Sequence, residues 1–502
     1  MGDVRWPGDW GRPVVAISLV ALADGLLYRQ PAGANLGAFT LAVLVGAWAV
    51  QPRRARDARA RLAGAAAAGL ALLLIETPSL IALGLFMIAL GVMVLSPRTP
   101  AGEGAWPWAQ RLALTGLAGL IAPFSDADRL ARRRRLSGRR ILRLVPLLAV
   151  PLLGGALFLG LFAIANPVIS QVLAAWSWPQ LDIPRGLFWL VCFVCAWMAL
   201  APRAVTPPAL RLFASAGPDR AGLGVTTVCL SLAMFNLVFA VQNGLDIAFL
   251  WSGAPLPAGV SVTDYVHRGA FTLIVAALLA GAFVLVALAP GSATARSPLL
   301  RKMVLLWMGQ TLVLVASSVL RTLDYVEAFS LTGLRLAALI WMGLVAIGLG
   351  LICWRMLAGK SAAWLINANA AAAALVLVGC GLVDLNATAS AWNIDHAGDV
   401  GGAGAPIDLC YLVRMGPSAT VSLSRLAARR LPPALHDRVA WARAQSLANL
   451  TMDQSQWRGW TWRGQRRLTS ALAILPPADA RAGFAPGARD CDGAPLATSS
   501  SN

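Results

Sequence analysis

Charged side chains are scarce in this chain of 502 residues, since Asp, Glu, Lys and Arg together make up only 13% of it. Soluble domains carry about twice that share, so the scarcity excludes an ordinary soluble globular protein. Hydrophobic residues make up 58% of the chain, and the mean hydropathy is +0.67. This composition predicts an all-α fold: a polytopic transmembrane helix bundle with an extramembrane, mostly helical C-terminal tail.

Residues that commonly carry catalysis are few and scattered. The three histidines, His267, His396 and His436, lie far apart in the sequence, and no zinc-protease or serine-hydrolase motif is present. The glycine-rich segment 398–405 lacks the preceding strand and the Lys-Ser/Thr of a phosphate loop. We therefore predict no metal site and no cofactor, and no catalytic motif is legible.

The seven cysteines do not have the spacing of a disulfide framework or a zinc ribbon. Cys192 and Cys195 form a C-x-x-C motif inside an apolar run. Apolar surroundings disfavour the thiolate that redox chemistry needs, so we interpret this pair as packing. Cys410 and Cys491 lie in the polar tail, where they can pair in an oxidising compartment, and the sequence leaves that pairing open.

Arginine supplies nearly all of the net charge of +19, because only Lys302 and Lys360 are lysines. A nucleic-acid-binding protein would carry such charge on a soluble face with interleaved aromatic residues, whereas here most of it lies between apolar runs. No nucleic-acid partner is therefore predicted, and the charge reports membrane topology.

Eleven apolar runs approach the roughly 20 residues that cross the hydrocarbon core as a helix. With the N-terminus in the cytoplasm, the inside connections carry 25 Arg and Lys residues and the outside ones carry 5, as the positive-inside rule requires. This predicts a bacterial inner-membrane protein whose tail is periplasmic or extracellular. The predicted spans are residues 13–29, 33–50, 62–77, 79–96, 142–165, 186–201, 222–250, 267–290, 303–320, 333–353 and 364–386.

The segment 105–122 is long enough to cross but contains Arg111, and its crossing would invert every later span. We therefore place it in the cytoplasmic interface as an amphipathic or re-entrant segment. The predicted regions are an N-terminal four-span membrane region (1–100), a cytoplasmic amphipathic and Arg-rich connection (101–143), a seven-span core (144–386), an outward-facing helical tail (387–475) and a disordered C-terminus (476–502).

The densest charge of the chain lies in residues 128–140. It is either a topological anchor or a contact for anionic lipid headgroups, which attract each nearby basic residue by about 1 kcal/mol. Membrane lipids are predicted partners in both cases. The residues predicted to contact anionic lipid are Arg132, Arg133, Arg134, Arg135, Arg139 and Arg140.

Two predicted spans carry polar stripes, which are costly in lipid and mark functional sites. Both stripes are expected to face the bundle and to meet the start of the eighth span near the outer surface. The stripes are Asn236, Asn243 and Asp246 on the seventh span and Gln310, Ser317, Arg321 and Asp324 on the ninth. The resulting cluster comprises Asn243, Asp246, Asp264, Tyr265, His267, Arg268, Arg321, Asp324, Tyr325 and Glu327.

Several of these segments also resemble a known family. The similarity is to uncharacterised bacterial multi-spanning membrane proteins of domain-of-unknown-function family 4153/4173. It covers most of the chain after residue 145, whereas no resemblance is found for about the first hundred residues. It implies an inner-membrane bundle with an appended tail and supplies no established activity. The segments are F-N-L-V-F-A-V-Q-N-G-L-D (235–246), D-Y-V-H-R-G-A-F (264–271), L-R-T-L-D-Y-V-E-A-F-S-L-T-G-L-R-L (320–336), W-N-I-D (392–395), D-L-C-Y-L (408–412) and W-T-W-R-G-Q-R (460–466).

The polar cluster is either an ion-pair network that holds helix ends together or a ligand site. The leading hypothesis is a non-enzymatic envelope protein that binds or scaffolds a lipid, a peptide or an envelope protein partner. A transporter of a small polar or lipid solute is the second hypothesis. An enzyme acting on a lipid-linked substrate, with Asp246, Asp264 or Glu327 as general base, is the third. The Trp- and Arg-rich segment 457–475 either lies at the membrane interface or docks on the bundle.

Overall fold

Helices form all the regular structure of the residues that the computed structural model describes, apart from two isolated bridges, so the predicted all-α fold is confirmed. Those residues are 11–51, 57–133 (side chains to 126), 182–203, 225–252, 279, 283, 297–475 and 489–495. The helices are α1 Gly11–Leu27, α2 Ala34–Val50, α3 Ala58–Glu76, α4 Leu80–Leu95, α5 Ala105–Arg133, α6 Ile183–Leu200, α7 Val225–Asp246, α8 Pro298–Phe329, α9 Gly333–Ala358, α10 Ala362–Leu382, α11 Leu385–His396, α12 Leu409–Arg414, α13 Thr420–Ala427, α14 Pro433–Ser455 and α15 Trp462–Ile474.

Seven helices within the described residues are long and apolar enough to cross a membrane, namely α3, α4 and α6 to α10. Helix α2 is apolar but shorter. The segment 105–122, predicted to lie in the interface, belongs to α5, which is not among the seven. The predicted span 142–165 lies outside the described residues, as does 267–290 apart from residues 279 and 283.

Side-chain caps fix where the bundle helices begin. Oxygens of Ser297, Thr332 and Ser361 each accept a hydrogen bond from the backbone N–H three residues later, at 3.5, 3.2 and 3.1 Å, which satisfies one of the free donors at each helix start. Asp384 caps α11 in the same way. Helix α10 therefore ends at Leu382, and the tail begins immediately afterwards with α11.

The first compact unit contains α1, α2 and α6, with α1 packed against both of the others. Small residues allow this close packing, since a Cβ added at Gly46 would lie 3.0 Å from Val15 Cγ1. Ala16 and Ala23 are completely buried on α1. The described residues of this unit are 11–51, 57–72, 86–101, 109–133 and 182–203.

The second compact unit contains α7 to α10 together with the tail helices α11 to α15. Within it α7 packs along α8, α8 along α9 and α9 along α10. Trp307 and Met308 of α8 are buried against Leu232 of α7 and Met342 of α9. Nothing in the structure tests the boundaries of the five regions predicted from the sequence, so those boundaries stay predictions.

The tail has its own hydrophobic core, and that core includes two residues from the end of α8 and the turn after it, Val326 and Leu331. Leu412, Leu423 and Leu426 of the tail are almost completely buried in it. A helix of 32 residues is about 48 Å long, whereas the hydrocarbon core is about 30 Å thick. Helix α8 is therefore long enough to extend beyond a span and into the tail.

The glycine-rich segment 398–405 forms a tight loop that folds back on the end of α11. The N–H of Gly404 donates to the carbonyl of His396 at 2.8 Å, and Gly402 N–H donates to Ala397 O at 2.9 Å. A Cβ at either glycine would collide with this backbone. The glycines are thus explained by close backbone approach.

A disulfide joins Cys410 to Cys491, which settles the pairing that the sequence left open. Arg438 also binds the backbone beside this disulfide, because its Nη2 donates to the carbonyl of Cys491 at 2.6 Å. The disulfide attaches residues 489–495, part of the segment predicted to be disordered, to α12. Cys192 and Cys195 are free thiols in α6.

Candidate functional site

The two predicted polar stripes face each other across the contact between α7, the seventh predicted span, and α8, the ninth. Hydrogen bonds and an ion pair connect them, so they lie inside the bundle. We call this contact the polar seam. It consists of Asn236, Asn243 and Asp246 on α7 and Gln310, Ser317 and Arg321 on α8.

A buried ion pair between Asp246 and Arg321 closes the seam at the C-terminal end of α7. Arg321 Nη2 donates to Asp246 Oδ1, which also accepts from Gln242 Nε2 at 2.9 Å. The side chain of Asp246 is 0% exposed and that of Arg321 4%. Removing such charges from water costs several kcal/mol per ion, which only a close, hydrogen-bonded partner offsets.

Amide side chains also connect α7 and α8, nearer to the N-terminal ends of these helices than the ion pair is. Asn236 Nδ2 donates to the carbonyl of Met303 at 3.1 Å, and its Oδ1 accepts from Gln310 Nε2 at 3.2 Å. Asn243 Nδ2 donates to the carbonyl of Gln310 at 3.1 Å. Because these bonds cross from one helix to the other, they fix the register between α7 and α8.

The last residues of α7 continue as a π-helical turn, Ile247–Trp251. The indole Nε1 of Trp251 donates to Ser317 Oγ at 3.1 Å, which places the turn against α8. Single π-helical turns in helices are frequent at functional sites.

Two amide oxygens of the seam, Asn243 Oδ1 and Gln310 Oε1, are buried without a hydrogen-bond partner in the described part of the chain. A buried unsatisfied polar group costs about 1–3 kcal/mol. These two oxygens are the acceptors that the seam offers to a water molecule, a cation or a polar solute.

The structure corrects the predicted orientation of Asp324. The sequence places Asp324 three residues after Arg321, on the stripe that is expected to face the bundle. In the structure Arg321 turns towards α7 and pairs with Asp246, while Asp324 and Glu327 are exposed. The reason is that Asp246 is fully buried and needs a countercharge, whereas an exposed Asp324 is hydrated.

The turn between α8 and α9 is bound by side chains from both sides. Arg335 Nη1 donates to the carbonyl of Phe329 at 2.7 Å, and its Cζ lies 4.3 Å from the centre of the Tyr325 ring. Asn393 of the tail accepts from the N–H of Leu331 at 2.6 Å and donates to its carbonyl at 2.8 Å. Helix α8 continues to Phe329, so Glu327 lies in its last turn and the turn to α9 begins after it.

Helix α15 docks on the ends of α3 and α10 through arginines. Arg463 and Arg466 both form ion pairs with Glu76, and Arg463 Nη2 donates to the carbonyl of Leu382 at 2.8 Å. Arg467 pairs with Asp384. Burial lowers the pKa of Arg467 from its ordinary value, and the Glu76 carboxylate opposes that shift. Docking on the bundle, one of the two placements considered for this segment, is therefore observed, and its position at the membrane interface stays a prediction.

A second polar network, in the first compact unit, joins α1 to α6. Arg185 Nε and Trp189 Nε1 donate to Asp24 Oδ1 at 2.8 and 2.9 Å, and Tyr28 Oη donates to Asp182 Oδ2 at 2.8 Å. The hydrogen bond from Tyr28 is the main cause that lowers the pKa of Asp182 below its ordinary value. Sequence alone gives Arg185 only a topological role, because its partner is 161 residues away.

Ten predicted site residues lie outside the described residues or have side chains that do. Arg132 and Arg133 end α5, but their side chains lie outside the described residues. The remaining members outside the described residues are Asp264, Tyr265, His267 and Arg268 of the polar cluster and Arg134, Arg135, Arg139 and Arg140 of the lipid contact.

The helices and the buried seam define a multi-spanning, all-α membrane protein. The chain belongs to the family described as Domain of unknown function (DUF4153), whose model matches residues 17–426. This match confirms the resemblance and extends it to the N-terminal helices, for which the sequence alone showed none. No curated protein and no solved structure matches the chain.

Proposed function

We propose that this protein is a non-enzymatic binding or scaffolding protein of the bacterial inner membrane. The polar seam holds α7 and α8 in register, and α8 carries the tail that presents the binding surface. The observation that carries the proposal is the shared core: Val326 at the end of α8 and Leu331 in the turn after it are buried with the tail residues. A single helix thus joins the seam to the tail.

The proposed topology has the N-terminus in the cytoplasm and the tail on the outer side. The 25 to 5 bias of basic residues supports it. The disulfide between Cys410 and Cys491 supports it independently, because disulfides persist in the periplasm and not in the cytosol. In this topology Glu76, to which the tail docks, ends α3 on the same outer side.

The basic run in residues 128–140, which begins in the last turns of α5, then lies in the cytoplasm, where it contacts anionic headgroups. In this topology the basic run contacts lipid on the inner side of the membrane. The tail lies on the outer side, and we propose that it is the surface that binds an envelope protein partner.

The proposal predicts a complex that depends on tail docking. Wild-type protein solubilised in mild detergent is expected to migrate as a complex of defined mass with a stoichiometric partner. Arg467→Ala should lower the recovery of this partner at least fivefold, because it leaves Asp384 without its ion pair at the tail junction. Quantitative cross-linking mass spectrometry on matched amounts of protein measures the recovery.

Arg429→Ala is the matched control, since Arg429 pairs with Asp395 on the surface, where both side chains are well exposed, and such a pair contributes little. Its partner recovery should equal that of the wild type. Wild-type protein that migrates alone at every detergent concentration contradicts the proposal.

The two unpartnered oxygens of the seam favour one second candidate, a transporter of a small polar solute. Transport requires a polar path through the bundle. Asn243 Oδ1 and Gln310 Oε1 are buried acceptors between α7 and α8 that a polar solute on such a path could contact. Proteoliposomes distinguish the candidates: substrate-dependent flux that Asn243→Leu abolishes supports the transporter, whereas a scaffold shows none.

A further inference from the structure

Two tryptophans and a methionine are exposed where α14 passes into α15. Met452 is 63% exposed, Trp457 55% and Trp462 51%. Arg458 lies against this surface, with its Cζ 5.2 Å from the centre of the Trp457 ring. We call these four residues the α14–α15 patch. Exposed aromatic side chains within a few residues of an arginine make this segment a candidate binding surface.

The patch lies beside the ends of two membrane-spanning helices. Arg463, which follows Trp462, donates to the carbonyl of Leu382 and pairs with Glu76. Leu382 and Glu76 are the last residues of α10 and α3, both of which are long and apolar enough to cross a membrane. Trp462 is therefore next in sequence to a residue that contacts the ends of both of these helices.

Arg458 differs from the arginines that follow it. Arg463, Arg466 and Arg467 each pair with a carboxylate. Arg458 has no ion pair within the described residues, and its Nε is buried without an acceptor. The Cζ of Arg458 lies over the Trp457 ring, and the described residues supply this guanidinium with no carboxylate.

We propose that the α14–α15 patch binds phospholipid at the membrane interface. Trp457 and Trp462 lie in the headgroup layer, where tryptophan is enriched in membrane proteins, and Arg458 donates to a lipid phosphate, a strong charge-assisted acceptor. Lipid is the occupant because it surrounds the span ends that Arg463, the residue after Trp462, contacts. The leaflet rests on the proposed topology, whereas the contact rests only on the docking of α15.

Photocrosslinking in nanodiscs tests the contact directly. A photoreactive phenylalanine analogue replaces Trp457 or Trp462 in the full chain, which is reconstituted in phosphatidylethanolamine and phosphatidylglycerol. The control position is Asp437, which is exposed on the same helix α14 and lies about 22 Å along it from Met452. Mass spectrometry is expected to show at least tenfold more lipid adduct at 457 and 462 than at 437.

Arg458→Gln should lower the adduct at position 462 at least threefold, whereas Arg429→Gln on the tail surface should not change it. Adduct yields equal to those at 437 overturn the proposal, and so do adducts with a second copy of the chain or with a co-purified protein. Nanodiscs have no inside or outside, so this result does not depend on the proposed topology or on partner recovery.

Discussion

Arg321→Ala is expected to lower the free energy of unfolding by about 3–5 kcal/mol, because it leaves a buried carboxylate without its countercharge. Asp246 has a side chain that is 0% exposed, so water cannot replace the lost partner. The measurement is the thermal unfolding of purified protein in detergent, followed by the reactivity of the free cysteines as they become exposed. The level of folded protein in the membrane should fall in parallel.

A double substitution separates the structural role of this pair from a ligand-binding role. Asp246→Leu with Arg321→Met replaces both charges with apolar groups of similar size, which in other proteins is neutral or stabilising, so stability should return to near that of the wild type. Arg429→Ala should cost less than about 1 kcal/mol, as expected for an exposed pair. Wild-type stability of Arg321→Ala would contradict the assigned pairing. Loss of partner recovery in the stable double variant would make the seam itself a binding site.

Removing the disulfide with Cys410→Ser and Cys491→Ser is expected to destabilise the tail by about 2–5 kcal/mol. The bridged residues are 81 positions apart, so the bond excludes many conformations of the unfolded tail. Without it, residues 489–495 keep only contacts such as those of Arg438 with Cys491 O. Limited proteolysis of the tail in membranes measures the effect, since cleavage reports the population of locally opened tail.

The matched control is Cys192→Ser with Cys195→Ser, which removes two cysteines that are free in the structure. Proteolysis of its tail should follow the wild-type time course. An unchanged time course in the Cys410 and Cys491 variant would show that the disulfide does not hold the tail.

Much of the membrane fold is predictable because a span must satisfy its own backbone and show an apolar exterior. Helices α2, α3, α4 and α6 to α10 begin and end within about ten residues of predicted spans. The polar stripes are also predictable, since Asn236, Asn243 and Asp246 repeat on one side of a helix. That pattern places the stripes in the interior, and the structure finds their members there except for the exposed Asp324.

Pairing within the site is not predictable to the same degree. The spacing of Arg321 and Asp324 allows a local ion pair, and only the approach of α7 shows that Asp246 is the closer partner. The contacts of Asn393 with Leu331 and of Arg466 with Glu76 join residues far apart in sequence. No local pattern encodes them, although W-N-I-D and W-T-W-R-G-Q-R, which contain Asn393 and Arg466, are already among the family-like segments.

The tail docks onto the C-terminal end of α8, and an engineered disulfide between the tail and the start of α9 measures this docking. A Cβ at Gly333, at the start of α9, would lie 3.3 Å from Cγ of Asn386 in the tail, so Gly333→Cys with Asn386→Cys places two thiols within bonding reach. A protease site introduced at Lys360 cuts the chain between them, and both Cys410 and Cys491 stay in the C-terminal fragment.

The two fragments are expected to remain linked on non-reducing gels when the protein is taken directly from cells, and to separate on reduction or when either new cysteine is absent. A link that forms only after an external oxidant is added would contradict the proposed outer location of the tail. Fragments that stay separate even then, at a normal protein level, would contradict the docking.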